Sequence, residues 1–393
     1  MRVVFSGLPS FGHFLQLVPL AIAARNAGHE VDFATGEVRH SLLAEAGINP
    51  VLAGRSTNDV VAEASTAARA ETPGFDDLPQ VKAIELVSAK FSWLMPKYFV
   101  DDLQPYLAKH KPDLLIHGAY SPGPGLAARL AGIPALCHGT GRPRSDEDNL
   151  MARSAVVLRD YAATLGISLP EAYPIYLGNK FLDICPPSLD DPRFMATADR
   201  TELRLVPYNA RQGELPAWVR NRDRDRPLVF LSMGTESDSV EMLRNAIDGL
   251  SSLDVTLLVA SGKLAASAIG EVPDNVVVES WVPQADLLPH VDLVVHHGGN
   301  GTTFGAMSAG RPQLFLQNSP GPDQLLNADM VVAGGAGERL LFEEVNADAV
   351  ATKGKSLLAD SAHLDAALAI AREVEGMPSP DEVASRLPEL AGL

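Results

Sequence analysis

The chain has 393 residues, a formal net charge of −17 at pH 7, 46% hydrophobic residues and 21% charged residues. This length predicts two domains, and the composition is typical of a globular protein. The acidic balance argues against nucleic acid and anionic membranes as partners, so a phosphate-bearing ligand would need a local pocket. Cys137 and Cys185 are the only cysteines and lie far apart, which indicates neither a disulfide framework nor a zinc site.

Neither a signal peptide nor a membrane span is expected from the first residues. The chain enters an apolar strand at once, and the apolar stretch that follows, 14–24, is too short to cross a bilayer. Together with the low cysteine content, this predicts a soluble cytoplasmic protein.

Short apolar runs alternate with helical patterns, which is typical of parallel strands joined by crossover helices. The first helix is expected from about His13 to Ala27, with Gly28 as its stop. Strands are predicted at 3–5, 31–35, 113–118 and 134–139, and in a second series at 228–234, 255–262, 276–282, 293–297 and 312–317.

A polar, charged stretch separates the two series of strands. Residues 210–227 have prolines towards both ends and are predicted to be the interdomain linker. This gives a first domain over 1–209 and a second over 228–377. Residues 378–393 are typical of a final helix, and the pattern alone does not say which domain it packs against.

A glycine-rich turn follows the predicted strand at 293–297. Glycine lets the backbone approach a ligand, and the N–H groups at the start of the next helix attract a phosphate. His297 lies at the carboxyl end of the strand, where open parallel sheets bind ligands. The spacing of Gly299, Gly301 and Gly305 fits no GxGxxG fingerprint, and a tight structural turn is the alternative reading.

A second turn, Ser6 to Phe14, follows the first predicted strand. Gly7 and Gly12 frame four residues as in a P-loop, but His13 stands where that motif needs lysine, which argues against nucleotide hydrolysis. His13 at a strand-to-helix turn is suited to act as a general base. The alternative is a capping or core histidine.

Two further segments carry side chains that suit a nucleotide-sugar. The Trp281 indole is suited to stack on a nucleobase, although a tryptophan beside a proline is more often ordinary packing. Asp323 and Gln324 suit sugar hydroxyls, with helix capping by Asp323 as the rival interpretation. The DxD string at 223–225 lies in the charged linker and is read as solvated surface, so no metal is expected.

These motifs together resemble a known family. Trp281 with Gln284, His297 to Thr302, and Asp323 with Gln324 resemble the donor signature of inverting nucleotide-diphosphate-sugar glycosyltransferases with the GT-B fold. SFGH at 10–13 resembles that family's base-bearing turn. The segments CHGTGR, ESWVPQADLLPHVDLVVHHGG and LPAW are similar to actinomycete tailoring enzymes of polyketides and enediynes, the calicheamicin glycosyltransferases above all.

The resemblance implies an α/β protein with two Rossmann-like domains facing across a cleft, the acceptor in the first and the donor in the second. The helix at 378–393 would cross back to the first domain. The residues expected to carry the reaction are His13 as base; His297, Gly299, Asn300, Gly301, Thr302, Gly234 and Thr235 around the diphosphate; Trp281 and Val282 at the nucleobase; and Asp323 and Gln324 at the sugar.

The chain departs from that family at two positions. Relatives that use a UDP-sugar bind the ribose hydroxyls through a glutamate where this chain has Gly305, which favours a TDP-sugar. Many relatives orient the base with an acid where this chain has Gly118. Either another group orients His13, or the acceptor hydroxyl is acidic like a phenol and needs less help.

The sequence therefore predicts a metal-independent, hexosyltransferase-type enzyme that moves a deoxysugar from TDP to a hydrophobic antibiotic precursor. A nucleotide-sugar epimerase of the same fold and a non-catalytic ligand carrier are the alternatives, and a homodimer stays open. The predicted acceptor pocket is lined by the loop at 141–149 and by five side chains: Phe75, Phe91, Trp93, Met95 and Tyr120. A buried core explains most of these aromatic residues equally well.

Overall fold

The computed structural model describes residues 1–144, 149–209, 213–222, 225–234, 239–317 and 322–393. The chain forms two compact units. The first comprises Met1–Cys185, Asp190–Arg204 and Pro378–Leu393, and the second comprises Pro186–Leu189 and Leu205–Met377. The part of 210–227 that is described belongs to the second unit.

The first unit is built on a seven-stranded parallel sheet in the order β3-β2-β1-β4-β5-β6-β7. Its strands are β1 (Arg2–Ser6), β2 (Glu30–Thr35), β3 (Asn49–Leu52), β4 (Leu114–Gly118), β5 (Ala135–His138), β6 (Lys180–Asp183) and β7 (Arg200–Glu202). β1 and β4 are almost wholly buried, as expected for central strands covered on both faces.

Helices cover this sheet. They are α1 (Phe11–Phe14), α2 (Val18–Asn26), α3 (His40–Glu45), α4 (Thr57–Glu71), α5 (Gln80–His110), α6 (Pro122–Leu130), α7 (Asn149–Thr164) and α8 (Pro192–Thr197). The core joins α5, α6 and α7 to the sheet through residues such as Phe99, Leu103 and Leu126. Two late helices of the chain, numbered below as α17 and α18, also belong to this unit, and α17 packs against α2.

The expectation of one helix from His13 to Ala27 is wrong, because the segment forms α1 and α2 with a turn at 15–17 between them. Pro19 lies in the first turn of α2, where its missing N–H costs no helical bond, so it favours a new helix start there. Gly28 has a φ of 89° and ends α2, as the sequence predicted.

The second unit is built on a six-stranded parallel sheet in the order β10-β9-β8-β11-β12-β13. Its strands are β8 (Leu228–Ser232), β9 (Thr256–Ala260), β10 (Val276–Glu279), β11 (Leu293–His296), β12 (Gln313–Gln317) and β13 (Gly337–Leu341). β8, β11 and β12 are buried throughout, so both faces of the sheet are covered.

The remaining helices follow in chain order. They are α9 (Ala217–Asn221), α10 (Val240–Ser251), α11 (Ala266–Ile269), α12 (Gln284–Leu287), α13 (Asn300–Ser308), α14 (Pro322–Ala333), α15 (Ala347–Ala359), α16 (Ser361–Gly376), α17 (Pro380–Ser385) and α18 (Leu387–Leu390). Within the described ranges, no helix combines the length and the apolar character that a membrane crossing requires.

Candidate active site

The turn after β1 holds the His13 imidazole against two other segments of the first unit. His13 lies in α1, and its Nδ1 is 3.3 Å from Oγ1 of Thr140, a buried residue just after β5. Its ring meets the ring of Tyr120 edge to face, with centroids 5.6 Å apart. The imidazole is therefore partly buried and oriented by side chains that follow β4 and β5.

Thr140 was missed by the sequence reasoning, which named no partner for His13. A Cβ at Gly118 would lie 3.8 Å from the Thr140 methyl carbon, so Thr140 stands beside the position where relatives have an acid. The only signal in the sequence is a hydroxyl soon after a predicted strand, in CHGTGR.

A small apolar cavity lies in the first unit between α5, α6 and α7. Of the five side chains predicted to line an acceptor pocket, Phe91, Met95 and Tyr120 do line it. Phe75 and Trp93 lie outside its lining: Phe75 packs under the Arg69 guanidinium, and Trp93 is 41% exposed. Because Tyr120 also contacts His13, the cavity adjoins the candidate base.

Three serine residues that the sequence did not single out also line the cavity. Ser92, Ser121 and Ser154 all line it. Ser121 is 2% exposed, and its Oγ makes no hydrogen bond. A buried hydroxyl without a partner is costly, which makes Ser121 a ready contact for a polar atom of a bound molecule.

In the second unit, the His297 ring lies between two glycines. A Cβ at Gly234 would lie 2.5 Å from His297 Cε1, and a Cβ at Gly299 would lie 2.7 Å from Nε2. Gly234, two residues after β8, also has a φ of 82°. Glycine is therefore required on both sides of the ring, by contact and, at Gly234, also by backbone conformation.

Burial lowers the pKa of His297 to about 4, and a hydrogen bond with the Ser232 backbone opposes this only partly. The ring is therefore neutral at pH 7 and carries a single N–H, so one of its nitrogens donates and the other accepts. Its Nδ1 has no partner. The neighbouring His296 is fully buried and structural. Its Nε2 lies 2.9 Å from Gln313 Oε1, and its Nδ1 accepts a hydrogen bond from the Gly298 N–H at 3.1 Å.

The start of α14 lies against the glycine turn. A Cβ at Gly298 would lie 2.8 Å from the Gln324 carbonyl oxygen, and Gly298 has a φ of 94°. Asn327 of α14 donates to the Gly298 carbonyl at 2.8 Å and to Asn300 Oδ1 at 2.6 Å. The Gln324 backbone is thus held beside the turn, and both Asp323 and Gln324 are half-buried at the start of α14.

The Trp281 segment is linked to the same turn. Thr302 Oγ1 donates to Gln284 Oε1 at 3.2 Å, and the Trp281 ring packs on Gly213, where a Cβ would lie 2.7 Å away. Val282 is buried in an apolar cluster with Phe230 and Leu287, so its side chain belongs to the core. The first turn of α13 has no side-chain cap.

Some of the predicted positions fall outside the described residues. Thr235 and the first two residues of the DxD string are among those outside. The described residues hold no group of three His, Cys, Asp or Glu side chains that could bind a metal ion. At Gly305 a Cβ would lie 2.8 Å from Leu288 Cδ1, so close packing also favours glycine there.

Comparisons with known proteins agree with this architecture along the whole chain. Residues 22–234 match the N-terminal domain of erythromycin biosynthesis protein CIII-like proteins, and residues 244–390 match their C-terminal domain. The elloramycin glycosyltransferase ElmGT of Streptomyces olivaceus is 30% identical over 100% of this chain and 98% of its own. The L-demethylnoviosyl transferase of Streptomyces niveus is 29% identical over 98% of this chain and 97% of its own.

Solved structures give the same result for the fold. The glycosyltransferase VinC, crystallised with DTDP, matches with a TM-score of 0.81 and 26% identity over 100% of both chains. The fold is therefore GT-B, and the chain is a glycosyltransferase, as the sequence predicted. More particularly, it belongs to the erythromycin biosynthesis protein CIII-like family.

The calicheamicin glycosyltransferase CalG4 is a more distant match. It has a TM-score of 0.78 and 19% identity over 100% of this chain and 98% of its own. At that identity the likeness concerns the fold alone.

Proposed function

We propose that this chain is an inverting TDP-sugar glycosyltransferase that acts on a hydroxyl of a hydrophobic polyketide or enediyne-type natural product in antibiotic biosynthesis. The observation that carries the proposal is the placement of His13. Its imidazole lies at the end of a central parallel strand and contacts Tyr120, which also lines the apolar cavity. Glycosylation of a hydroxyl on a hydrophobic molecule requires a base beside an apolar acceptor pocket.

The donor is assigned to the second unit. The α13 N-terminus has no side-chain cap and is suited to bind the diphosphate. The neutral His297 ring would donate to it through the N–H of the tautomer that leaves the Ser232 backbone unbonded. Trp281 would stack on the base, while Asp323 and Gln324 would bind the sugar hydroxyls. VinC, which carries DTDP, supports thymidine as the nucleoside, as does the absence of a carboxylate at Gly305.

The acceptor is assigned to the cavity of the first unit. Phe91, Met95 and Tyr120 give it apolar walls that suit a hydrophobic molecule. The unpaired Ser121 hydroxyl would bind a carbonyl or hydroxyl oxygen of that molecule. The name of ElmGT, an elloramycin glycosyltransferase, supports an antibiotic precursor as the acceptor class.

The reaction is a single displacement. His13 Nε2 takes the proton of the acceptor hydroxyl as the oxygen attacks the anomeric carbon. The bond from that carbon to the TDP oxygen breaks, TDP leaves with the electron pair, and the anomeric configuration inverts. The α13 N-terminus and His297 stabilise the charge that develops on the diphosphate.

The experiment compares TDP-sugar breakdown with and without a phenolic acceptor. Acceptor-dependent release of TDP, matched by glycoside, supports the proposal. An epimerase would convert the donor sugar with no acceptor, and a carrier would bind the donor without turning it over; either result contradicts it.

The thymidine assignment has its own test. TDP and UDP are compared by thermal shift, because preferential binding raises the melting temperature by mass action. A larger rise with TDP is expected, whereas an equal or larger rise with UDP overturns the argument from Gly305.

A further inference from the structure

The candidate base has a hydroxyl neighbour where many relatives have an acid. Thr140 Oγ1 lies 3.3 Å from His13 Nδ1, and Thr140 is 1% exposed. The Thr140 methyl carbon lies 3.8 Å from where a Cβ at Gly118 would be. Thr140 therefore contacts His13 and lies next to Gly118, the position where many relatives have the acid.

We propose that Thr140 is the positioning residue for His13 and replaces the missing acid. Its Oγ1 accepts a hydrogen bond from the Nδ1–H of His13, which keeps the lone pair on Nε2, the nitrogen that takes the proton. The edge contact with Tyr120 fixes the ring plane. This inference rests on the proposed function, because Thr140 has this task only if His13 is the base.

The proposal also narrows the acceptor. A neutral hydroxyl stabilises the imidazolium that forms on His13 less than a carboxylate does, since charge-assisted hydrogen bonds are about twice as strong as neutral ones. A base with this weaker support works best on a hydroxyl that gives up its proton readily. The preferred acceptor group is therefore a phenol rather than an aliphatic alcohol.

Two variants at Thr140 test the role in turnover. Thr140→Val removes the hydroxyl at nearly constant volume, and Thr140→Ser keeps it. With a phenolic acceptor we expect kcat to fall about tenfold in the valine variant at unchanged KM, because this is the effect expected from the loss of one ordinary hydrogen bond. In the serine variant we expect kcat to stay within about twofold of the wild-type value. Equal kcat values in the two variants overturn the proposal.

A second readout does not depend on turnover. In protein labelled with ¹⁵N-histidine, the His13 signal is assigned by its loss in His13→Gln. We expect the Nδ1-protonated tautomer in the wild type and a mixture of tautomers in Thr140→Val. An unchanged tautomer in the valine variant overturns the role of Thr140, whereas failure of the wild type to transfer sugar would overturn the proposed function instead.

An unpaired amide in the second unit carries a separate inference. Gln317 ends β12 and is 1% exposed, yet neither its Oε1 nor its Nε2 makes a hydrogen bond. Its Nε2 lies 3.0 Å from where a Cβ at Gly298 would be, close to the Gln324 backbone. A buried amide with both atoms unpaired destabilises the free protein and awaits a partner that both donates and accepts.

From this geometry we infer that Gln317 binds the sugar of the donor. Sugar hydroxyls both donate and accept, so a pair of them satisfies Oε1 and Nε2 together. An ionised diphosphate only accepts and would leave Oε1 unpaired. The inference rests on the proposed donor site, because it places the sugar beside Gln324.

Gln317→Leu separates this binding role from a structural one. We expect the free variant to melt at a higher temperature, to bind TDP as the wild type does, and to lose about tenfold in affinity for TDP-glucose. Gln104→Leu is the control, because Gln104 already donates to the Ala127 carbonyl at 2.8 Å and its loss should lower the melting temperature. An unchanged ratio of TDP-glucose to TDP affinity overturns the inference.

Discussion

Each of the two parallel sheets presents a half-buried histidine beyond a central strand, and the two rings have different neighbours. His13 follows β1, is partly buried, and has the hydroxyl of Thr140 and the ring of Tyr120 beside it. His297 follows β11 and lies between Gly234 and Gly299, where burial lowers its pKa to about 4. One ring has a group that can set its tautomer, and the other is kept neutral.

In the proposed function, this difference separates the tasks of the two rings. A base must exchange a proton during the reaction, which a polar neighbour such as Thr140 assists. A ligand-binding ring must keep one protonation state and one place, which burial and flanking glycines ensure at His297. The strand-to-turn geometry is shared, so the neighbouring residues decide the role.

The variant with the largest expected effect is His13→Ala, which tests whether His13 is the base. If His13 is the base, transfer falls by about 100-fold or more, the usual range for loss of a general base. The rise in melting temperature caused by TDP stays unchanged, because the donor is assigned to the second unit. Turnover within tenfold of the wild type would show that His13 is not the base.

His297 is one of four histidines with a lowered pKa, and together they should make the stability of the protein depend on pH. Burial lowers the pKa values of His117 and His138 to about 4, of His296 to about 3 and of His297 to about 4. These rings stay neutral in the folded state below pH 6.5, while the unfolded chain takes up protons. Their contribution to stability is therefore complete above about pH 6.5 and is lost as the pH falls towards 4.

The effect on the free energy of unfolding is expected to reach several kcal/mol between pH 7 and pH 5, since each lowered pKa unit corresponds to about 1.4 kcal/mol per ring. Urea denaturation at the two pH values measures it, and the double variant His138→Gln/His117→Gln should show a shallower loss with pH. A free energy of unfolding that does not change over this range contradicts the assignment of neutral rings.

Gly234→Ala sharpens the role of the glycines around His297. A methyl group there would lie 2.5 Å from the ring on a backbone with a φ of 82°, so the ring must move. We expect TDP affinity to fall about tenfold, because strain of this kind costs on the order of 1–3 kcal/mol.

Gly376→Ala is the matched control for that variant. Gly376 ends α16 and has open space around the position of a Cβ, so an added methyl group should leave TDP binding unchanged. Calorimetric titration with TDP compares the two proteins. Equal affinities would show that the glycines around the His297 ring are not needed for TDP binding.

Ser121→Ala tests the acceptor side with the smallest expected effect. Loss of one hydrogen bond to the acceptor should raise its KM about threefold to tenfold and leave TDP binding unchanged. Ser65→Ala, which changes an exposed hydroxyl of α4, is the control. A KM that does not respond would show that the cavity binds the acceptor through apolar contacts alone.

The sequence predicted most of the central strands and missed several outer ones for a physical reason. Central parallel strands such as β1 and β11 are buried on both faces and appear as continuous apolar runs. β3, β7 and β13 lie at sheet edges and are partly exposed, so their sequences contain proline, charge and glycine. Their pattern does not differ from that of loops.

The same division holds for the candidate site. Glycines next to histidines mark a strand-end turn within a few residues, so His13 and His297 stand out in the sequence. Thr140 and His13 are 127 positions apart, and only the order of the strands brings them together. Residue type also does not tell which aromatic side chains face a cavity. The sequence therefore could not distinguish Phe91, which lines the cavity, from Trp93, which does not.

The most direct test of the account is one reaction of the wild-type chain with a TDP-sugar and a phenolic acceptor, followed by proton NMR. An inverting transferase gives one TDP for each glycoside formed, an anomeric configuration opposite to that of the donor, and no TDP release when the acceptor is left out. Retention of configuration, or release of TDP at the same rate without acceptor, would contradict the proposed function.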